Sequence, residues 1–269
     1  MRTIKKVFIG TDIEGVAGVV SFDEQADANG KYYEQARKLL TGEINAAVDG
    51  LLAEGVEDIL VIDGHGPGAV HYETLHPAAR LIHGRPLASR KVRDPIASAY
   101  DATVLIGQHA MCGVVDGTLN HTQSSRGIEY YKLNGREIGE TAQWALYNGA
   151  LGLPLIFLSG DEAACREARE LIPGITTAAV KVGLSRESAI SLSIQKSHDL
   201  IRASIGEAIR KQREKPIPPL TWPGPYLLEK RGLFTTLAQG YENHPLLHKI
   251  IDGKTIQLKS DNIQDIIYA

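Results

Sequence analysis

The first apolar run of the chain ends in a polar turn, within the stretch FIGTDIEGVAG from Phe8 to Gly18. The run delivers two carboxylates, Asp12 and Glu14, to a glycine-rich segment. Side chains two positions apart on an extended segment point to the same side, so we expect these carboxylates to converge. Acids cluster in such a place for acid–base chemistry, for metal binding or for capping the next helix. The rest of the chain has to distinguish these three uses.

Further apolar runs of the same kind alternate with helical patterns. The segments DILVIDGHG (58–66) and ATVLIGQHA (102–110) are apolar up to their polar ends, which is typical of buried parallel strands. Between the first two strands, residues 32–55 repeat apolar residues at helical spacing, and Gly55 ends that helix. This alternation predicts an α/β fold, a three-layer domain with a largely parallel sheet.

The later part of the chain adds elements of both kinds. The pair Asn134-Gly135 supplies the two left-handed positions of a type I′ turn, so we expect residues 128–139 to form a hairpin. Residues 154–172 predict a strand followed by a helix. A long helix is expected from about Ser188 to Lys215, because isoleucines recur on one face of it: Ile190, Ile194, Ile201, Ile205 and Ile209.

The stretch PIPPLTWPGP, residues 216–225, is the clearest boundary in the chain. Five prolines in ten residues exclude both a helix and a central strand there. This linker separates residues 1–215, which contain the strand–helix alternation, from residues 226–269, which mix a strand, polar turns and short helices. We expect the last segment to form a smaller C-terminal lobe or to return into the main sheet.

Composition and charge argue against several classes of function. Of the 269 residues, 43% are hydrophobic, so the chain can bury a substantial core. A formal net charge of −3 gives no reason to expect nucleic acid or a membrane surface as a partner. Two cysteines cannot form a disulfide framework or a thiolate zinc site alone. No apolar stretch has the length of a signal peptide or a membrane span, so we expect a cytoplasmic protein.

Residues that commonly bind metals lie at the carboxyl ends of three predicted strands: Asp12, Glu14, Asp63, His65 and His109. Sites in open α/β sheets form outside these strand ends. Downstream, His121 lies in a polar loop and Glu140 at the start of a predicted helix. Each residue alone also has a structural explanation, such as a turn, a cap or an exposed position. Those explanations weaken when all the residues fall at one edge of the sheet.

The type and number of these side chains suit a pair of metal ions. A mixed set of histidines and carboxylates without thiolates fits catalytic zinc, and also manganese or cobalt. Two histidines and three acids exceed what one four-coordinate ion takes from a protein while it keeps a position open. The count fits two ions, about 3.5–4 Å apart, that share a carboxylate and a water.

Five motifs, in order along the chain, resemble those of the D-aminopeptidase family of dinuclear zinc metallopeptidases: TDIEGVAG, VIDGHG, IGQHA, GTLNHT and GREIGE. The resemblance implies two zinc ions per chain in a hydrolytic domain formed by residues 1–215. Asp12 would bridge the ions and Glu14 would bind one of them. His65 and His109 would each bind one ion, and Glu140 would complete the shell of the second.

The resemblance also implies a catalytic residue, a substrate and an assembly. His121, in GTLNHT, would be catalytic, and a physical argument makes Asp63 the partner that orients a ligand histidine. The family implies hydrolysis of short peptides or amides with an N-terminal D-residue, and a homodecamer of two stacked five-membered rings. We therefore expect a metal-dependent aminopeptidase that uses a zinc-activated water, with His121 as base, acid or oxyanion donor.

Two other functions stay open from the residues themselves. The motifs specify the metals better than the substrate, so the protein could be a dinuclear hydrolase of another amide or of a phosphoester. It could also be a non-catalytic relative that retains the site to bind metal or peptide. Activity on amino-acid amides, compared with a phosphoester, would distinguish these alternatives.

Overall fold

Strands and helices alternate along residues 3–269, which the computed structural model describes. The first part contains β1 (Lys6–Thr11), α1 (Tyr33–Ala53), β2 (Asp58–Asp63), β3 (Ala79–Ile82), α2 (Arg90–Ala97), β4 (Ala102–Gln108), β5 (Ile128–Leu133) and β6 (Arg136–Glu137). The middle contains α3 (Glu140–Ala150), β7 (Leu155–Asp161), α4 (Glu162–Leu171), β8 (Thr176–Ser185), β9 (Ser188–Ser191) and α5 (Ile194–Glu214). The last part contains β10 (Tyr226–Gly232), α6 (Thr236–Tyr241), β11 (Leu247–Asp252), β12 (Thr255–Ser260) and α7 (Ile263–Ile266).

The larger sheet has seven strands in the order β3-β2-β1-β4-β7-β8-β9. All neighbouring strands from β3 to β8 are parallel, and only the edge strand β9 is antiparallel to its neighbour. Successive residues of β1 point to opposite faces, so Ile9 packs in the core under α1 and α5 while Phe8 packs on the other face. The predicted α/β fold with a largely parallel sheet is confirmed.

The C-terminal segment forms a second sheet instead of returning into the first. This antiparallel sheet has the order β11-β12-β10-β5-β6 and includes the predicted hairpin, whose turn residues Asn134 and Gly135 have φ values of 50° and 82°. Strand β10, after the proline-rich linker, pairs with β5, which precedes it. The two sides of the linker thus share one sheet, and the division of the chain into two domains stays a prediction.

The long helix α5 begins later than expected, at Ile194. Residues Ser188–Ser191 form β9, so Ile190 is an edge-strand residue with 64% of its surface exposed. The Ser193 side chain accepts the Lys196 N–H and caps the helix, a local signal that apolar spacing does not reveal. The later isoleucines of the helix are buried, as expected.

Among the helices within residues 3–269, none has the length and apolar composition that a membrane span needs.

Candidate metal centre

The carboxyl ends of β2, β1 and β4 lie side by side at one edge of the parallel sheet. The chain proceeds from β1 to β2 and β3 on one side and then places β4 on the other side of β1, which makes a topological switch point between β1 and β4. Asp12 follows β1 directly, His65 lies two residues after β2, and His109 follows β4. The sheet order therefore brings residues from three distant segments together.

Glycines let the turn after β1 lie directly against the turn after β4. The Gly15 N–H donates to the Gly107 carbonyl at 2.8 Å. A Cβ atom on Gly15 would lie 2.0 Å from the Gln108 carbonyl oxygen, and Gly107 has a φ of +78°, which favours glycine. The glycines of TDIEG and IGQH are thus required for the close approach of the two acids in one turn to the histidine in the other.

The Asp12 carboxylate lies between two histidines. Its Oδ1 is 3.2 Å from His65 Nδ1, and its Oδ2 is 3.2 Å from His109 Nε2. Glu14 Oε2 lies 3.2 Å from His65 Nδ1, and Glu140 Oε1 lies 3.5 Å from His109 Nε2. All five residues predicted as ligands therefore come together in two clusters that share Asp12. One carboxylate that offers an oxygen to each cluster has the arrangement of a bridging ligand.

His121 lies against the second cluster. Its ring stacks on the His109 ring, with centroids 4.0 Å apart and an interplanar angle of 12°, and its Nε2 is 3.8 Å from Glu140 Oε1. Its Nδ1 is 2.9 Å from the Leu119 carbonyl oxygen. Leu119 and Gln123, which flank His121, have backbone φ values of 53° and 65°. L-residues other than glycine rarely adopt such positive values. Such strain is typical of loops that hold a functional group.

Two buried polar atoms test whether these residues fit a metal. Glu14 Oε2 and His109 Nε2 make no hydrogen bond of good geometry within the described residues, although a ring nitrogen or a carboxylate oxygen lies 3.2 Å from each, and an unsatisfied buried atom costs about 1–3 kcal/mol. Ligand atoms of Asp12, Glu14 and His109 lie within 4.8 Å of one another, as do those of His109, His121 and Glu140. An imidazole and carboxylate set without thiolates fits zinc, which would satisfy both atoms.

Charges inside the clusters shift the pKa values of their members. Burial alone would raise the pKa of Asp12, but the adjacent His109 and His65 rings outweigh it and hold the pKa well below its ordinary value. Burial alone would lower the pKa of His65 and of His109, yet the neighbouring carboxylates raise both well above the ordinary value. A metal ion must compete with protons on these histidines, so we expect its affinity to fall as the pH falls.

Backbone contacts fix the loop that carries His65. The Asp63 carboxylate accepts two N–H groups farther along this loop, at 2.9 and 3.2 Å. The Arg85 guanidinium donates to the Asp63 carbonyl at 3.0 Å and to the Gly66 carbonyl at 2.6 Å. The expectation that Asp63 orients a ligand histidine is wrong, because its carboxylate is occupied by the loop. His65 Nε2 lies 2.8 Å from the Ala26 carbonyl oxygen instead.

Lys181 is a buried cation next to the site that no motif indicated. Its Nζ donates to the carbonyls of Glu14 and Val19, at the two ends of the turn that follows β1. Only 1% of its surface is exposed. Burial lowers its pKa to about 8, although the negative charges of Asp161 and Glu43 act to raise it. The available signal was a single lysine inside the apolar strand TTAAVKVG, where a charge requires partners.

Two cavities meet at the clusters. An open one of about 490 Å³ has mixed walls that include His65, His121 and Arg126 beside apolar residues such as Phe22. A more enclosed one of about 250 Å³ lies between α3 and the sheet. Asp12 and Glu140 line both cavities. A molecule bound at the clusters therefore has a route to solvent on one side and a pocket on the other.

The fold and the site together define a metal-dependent hydrolase of the α/β class. The chain belongs to the D-aminopeptidase family, whose model matches residues 5–269. A D-aminopeptidase of Bacillus subtilis (strain 168) is 31% identical over 218 residues, 80% of this chain and 77% of that protein. The solved structure "Zn-dependent D-aminopeptidase DppA from Bacillus subtilis, a self-compartmentalizing protease" matches with a TM-score of 0.86 and 26% identity, over 98% of this chain and 94% of that one. The family resemblance and the expected metallopeptidase class are confirmed.

We expect Lys181→Met to destabilise the protein. Methionine retains an apolar stem of similar length but cannot donate to the carbonyls of Glu14 and Val19, which costs about 1–3 kcal/mol for each unsatisfied group. Urea unfolding measures the change. Lys259→Met is the matched control, because Lys259 is an exposed strand lysine whose replacement should change the free energy of unfolding by less than about 0.5 kcal/mol. Equal stability of the two variants would contradict the role given to Lys181.

Proposed function

We propose that the protein is a dinuclear zinc aminopeptidase that hydrolyses short peptides or amides with an N-terminal D-amino acid. The Asp12 carboxylate carries this proposal, because one of its oxygens faces His65 and the other faces His109. Membership of the D-aminopeptidase family supports the substrate class. The zinc dependence stated for the matched DppA structure supports the metal.

The two clusters divide the candidate ligands between two ions. Asp12, Glu14 and His65 would hold one zinc ion. Asp12, His109 and Glu140 would hold the other, and manganese or cobalt would suit the same donor types. Zinc, when bound, lowers the pKa of water and polarises a carbonyl group as a Lewis acid.

His121 can move a proton beside the reacting atoms. Its Nδ1 faces the Leu119 carbonyl oxygen at 2.9 Å, so a neutral ring carries its hydrogen there and leaves Nε2 as an acceptor. This Nε2 faces the second cluster and lies 3.8 Å from Glu140 Oε1. It can take a proton from the attacking water and return it to the leaving amine. A protonated ring would instead donate to the developing oxyanion.

The open cavity favours a peptide over a phosphoester as substrate. Its arginine, Arg126, pairs with Asp23 at 2.8 Å and with Asp27 at 3.5 Å. The charge of this arginine is therefore already balanced by carboxylates of the protein. Polar side chains such as Gln123 and Ser124 line the same cavity and can bind the amide groups of a peptide.

Zinc-loaded protein should hydrolyse the p-nitroanilide of D-alanine faster than that of L-alanine, and should leave p-nitrophenyl phosphate intact. The D preference is expected from the family, and the phosphoester control follows from the paired state of Arg126. Release of p-nitroaniline and of p-nitrophenol is measured under the same conditions. Faster turnover of the phosphoester would favour the other hydrolase function, and metal-loaded protein without any turnover would favour a non-catalytic relative.

A pair of variants should separate metal binding from proton transfer. Asp12→Ala should lose most bound zinc as well as activity, because this carboxylate serves both ions. His121→Ala should retain about two zinc ions per chain and lose about 10²–10⁴-fold in kcat. Zinc content after dialysis is measured by mass spectrometry beside kcat. Loss of zinc from His121→Ala would make His121 a ligand, and an unchanged kcat would exclude it from catalysis.

We also propose that the chains assemble into a closed ring-type homo-oligomer, a decamer of two stacked five-membered rings. The description of the matched DppA structure as self-compartmentalizing supports a closed assembly. A cytoplasmic location, expected from the sequence, stays a prediction. Light scattering at micromolar concentration should give a mass of about 292 kDa, which corresponds to ten chains of 29.2 kDa. A monomer at that concentration would contradict the assembly.

A further inference from the structure

The more enclosed cavity runs along one face of α3. Residues of that helix and of its C-terminal cap line it at a spacing that puts them on the same side: Glu140, Trp144, Tyr147, Asn148 and the cap residue Leu151. The eleven steps from the first to the last correspond to about 16 Å of helix at 1.5 Å per residue. Since Glu140 also belongs to the second cluster, the cavity starts at the candidate metal centre and extends away from it beneath the helix.

The wall opposite α3 is largely apolar. Phe8, Ile62 and Leu105 line it from the central strands of the parallel sheet. Leu87 and Ala97 line it from the α2 side. The volume of about 250 Å³ is below the roughly 300–1,000 Å³ of pockets that enclose drug-sized ligands. The cavity is therefore suited to one side chain and not to a whole peptide.

The charged groups on the α2 wall, Arg90, Arg93 and Asp94, contact aromatic side chains and backbone carbonyls of the protein. The Arg90 guanidinium lies 5.1 Å from the centroid of the Tyr147 ring and 5.6 Å from that of Tyr268, and it donates to the Gln264 carbonyl. The Tyr147 hydroxyl lies 2.7 and 2.8 Å from the two carboxylate oxygens of Asp94. These contacts hold the charged groups against the protein, and apolar atoms form the larger part of the cavity lining, so we expect the apolar wall to determine what the cavity accepts.

The two cavities would receive different parts of a substrate that is bound at the clusters. The peptide beyond the scissile bond needs a route to solvent, and the open cavity provides one. The N-terminal residue has its α-amino group and its side chain to place, and the more enclosed cavity begins at Asp12 and Glu140, where the side chain can enter while the amine stays at the clusters. We infer that the cavity along α3 receives the side chain of the N-terminal residue and selects apolar side chains. This inference rests on the proposed aminopeptidase function.

Filling or enlarging the cavity at Leu87 tests the inference. Leu87 is half-buried and lines the cavity, so Leu87→Trp removes space and Leu87→Ala adds it. The measurement is kcat/KM for the p-nitroanilides of alanine and phenylalanine, each in both stereoisomers. A difference of one methylene in a pocket is worth about 10–200-fold. We therefore expect Leu87→Trp to lower the phenylalanine-to-alanine ratio at least about tenfold, and Leu87→Ala to raise it.

Controls distinguish failure of this inference from failure of the proposed function. Leu75→Trp changes another half-buried leucine, which packs against the core on the α1 side, and should leave the ratio unchanged. If Leu87→Trp does not fold, an increased ratio in Leu87→Ala still supports the pocket and an unchanged one overturns it. A wild-type preference for the glutamate p-nitroanilide over that of phenylalanine would also overturn the apolar selection. Wild-type protein inactive on every p-nitroanilide would overturn the aminopeptidase function itself.

Discussion

The contact of the Asp12 carboxylate with two histidines from different strands is the constraint on which the site depends. It requires the order β2-β1-β4, because only neighbours of β1 can bring His65 and His109 to opposite oxygens of one carboxylate. It also requires glycine at Gly15 and Gly107, where the two turns approach too closely for a Cβ atom or adopt a left-handed φ. The order of the strands and the close approach of the two turns therefore also determine which residues meet in the site.

A second layer of buried charge holds the loops around this carboxylate. Lys181 binds the carbonyls at both ends of the turn that carries Glu14. Asp161, at the end of β7, accepts the Thr118 N–H at 2.7 Å and so connects the loop of His121 to the start of α4. Isolated buried charges destabilise a protein, but these are hydrogen-bonded to backbone groups, which offsets their desolvation. They fix the two loops that carry Glu14 and His121 at this edge of the sheet.

Local patterns predicted what local forces determine. Apolar strands, the α1 stripe and the hairpin at Asn134-Gly135 follow from side-chain spacing and backbone preferences, and each occurs in the structure. The start of α5 was missed because an isoleucine spacing continued through Ser188–Ser191, whereas pairing with β8 makes that segment a strand. The predicted role of Asp63 was wrong. A carboxylate after a strand can orient a ligand histidine or bind the backbone of its own loop, and only the loop geometry decides between them.

The sequence alone determined the class of fold and the donor types, and strand–helix alternation directs the strand ends that carry Asp12, Glu14, His65 and His109 to one edge. Glu140, at the start of a helix, was named as a ligand through the resemblance of its motif to the family. Tertiary structure decided which oxygen of Asp12 faces which histidine, and it placed His121 in ring contact with His109. It also placed Lys181 under the first turn and formed the enclosed cavity along α3. These features depend on contacts between residues distant in the chain, where distances of a few ångströms are fixed by packing and not by sequence spacing.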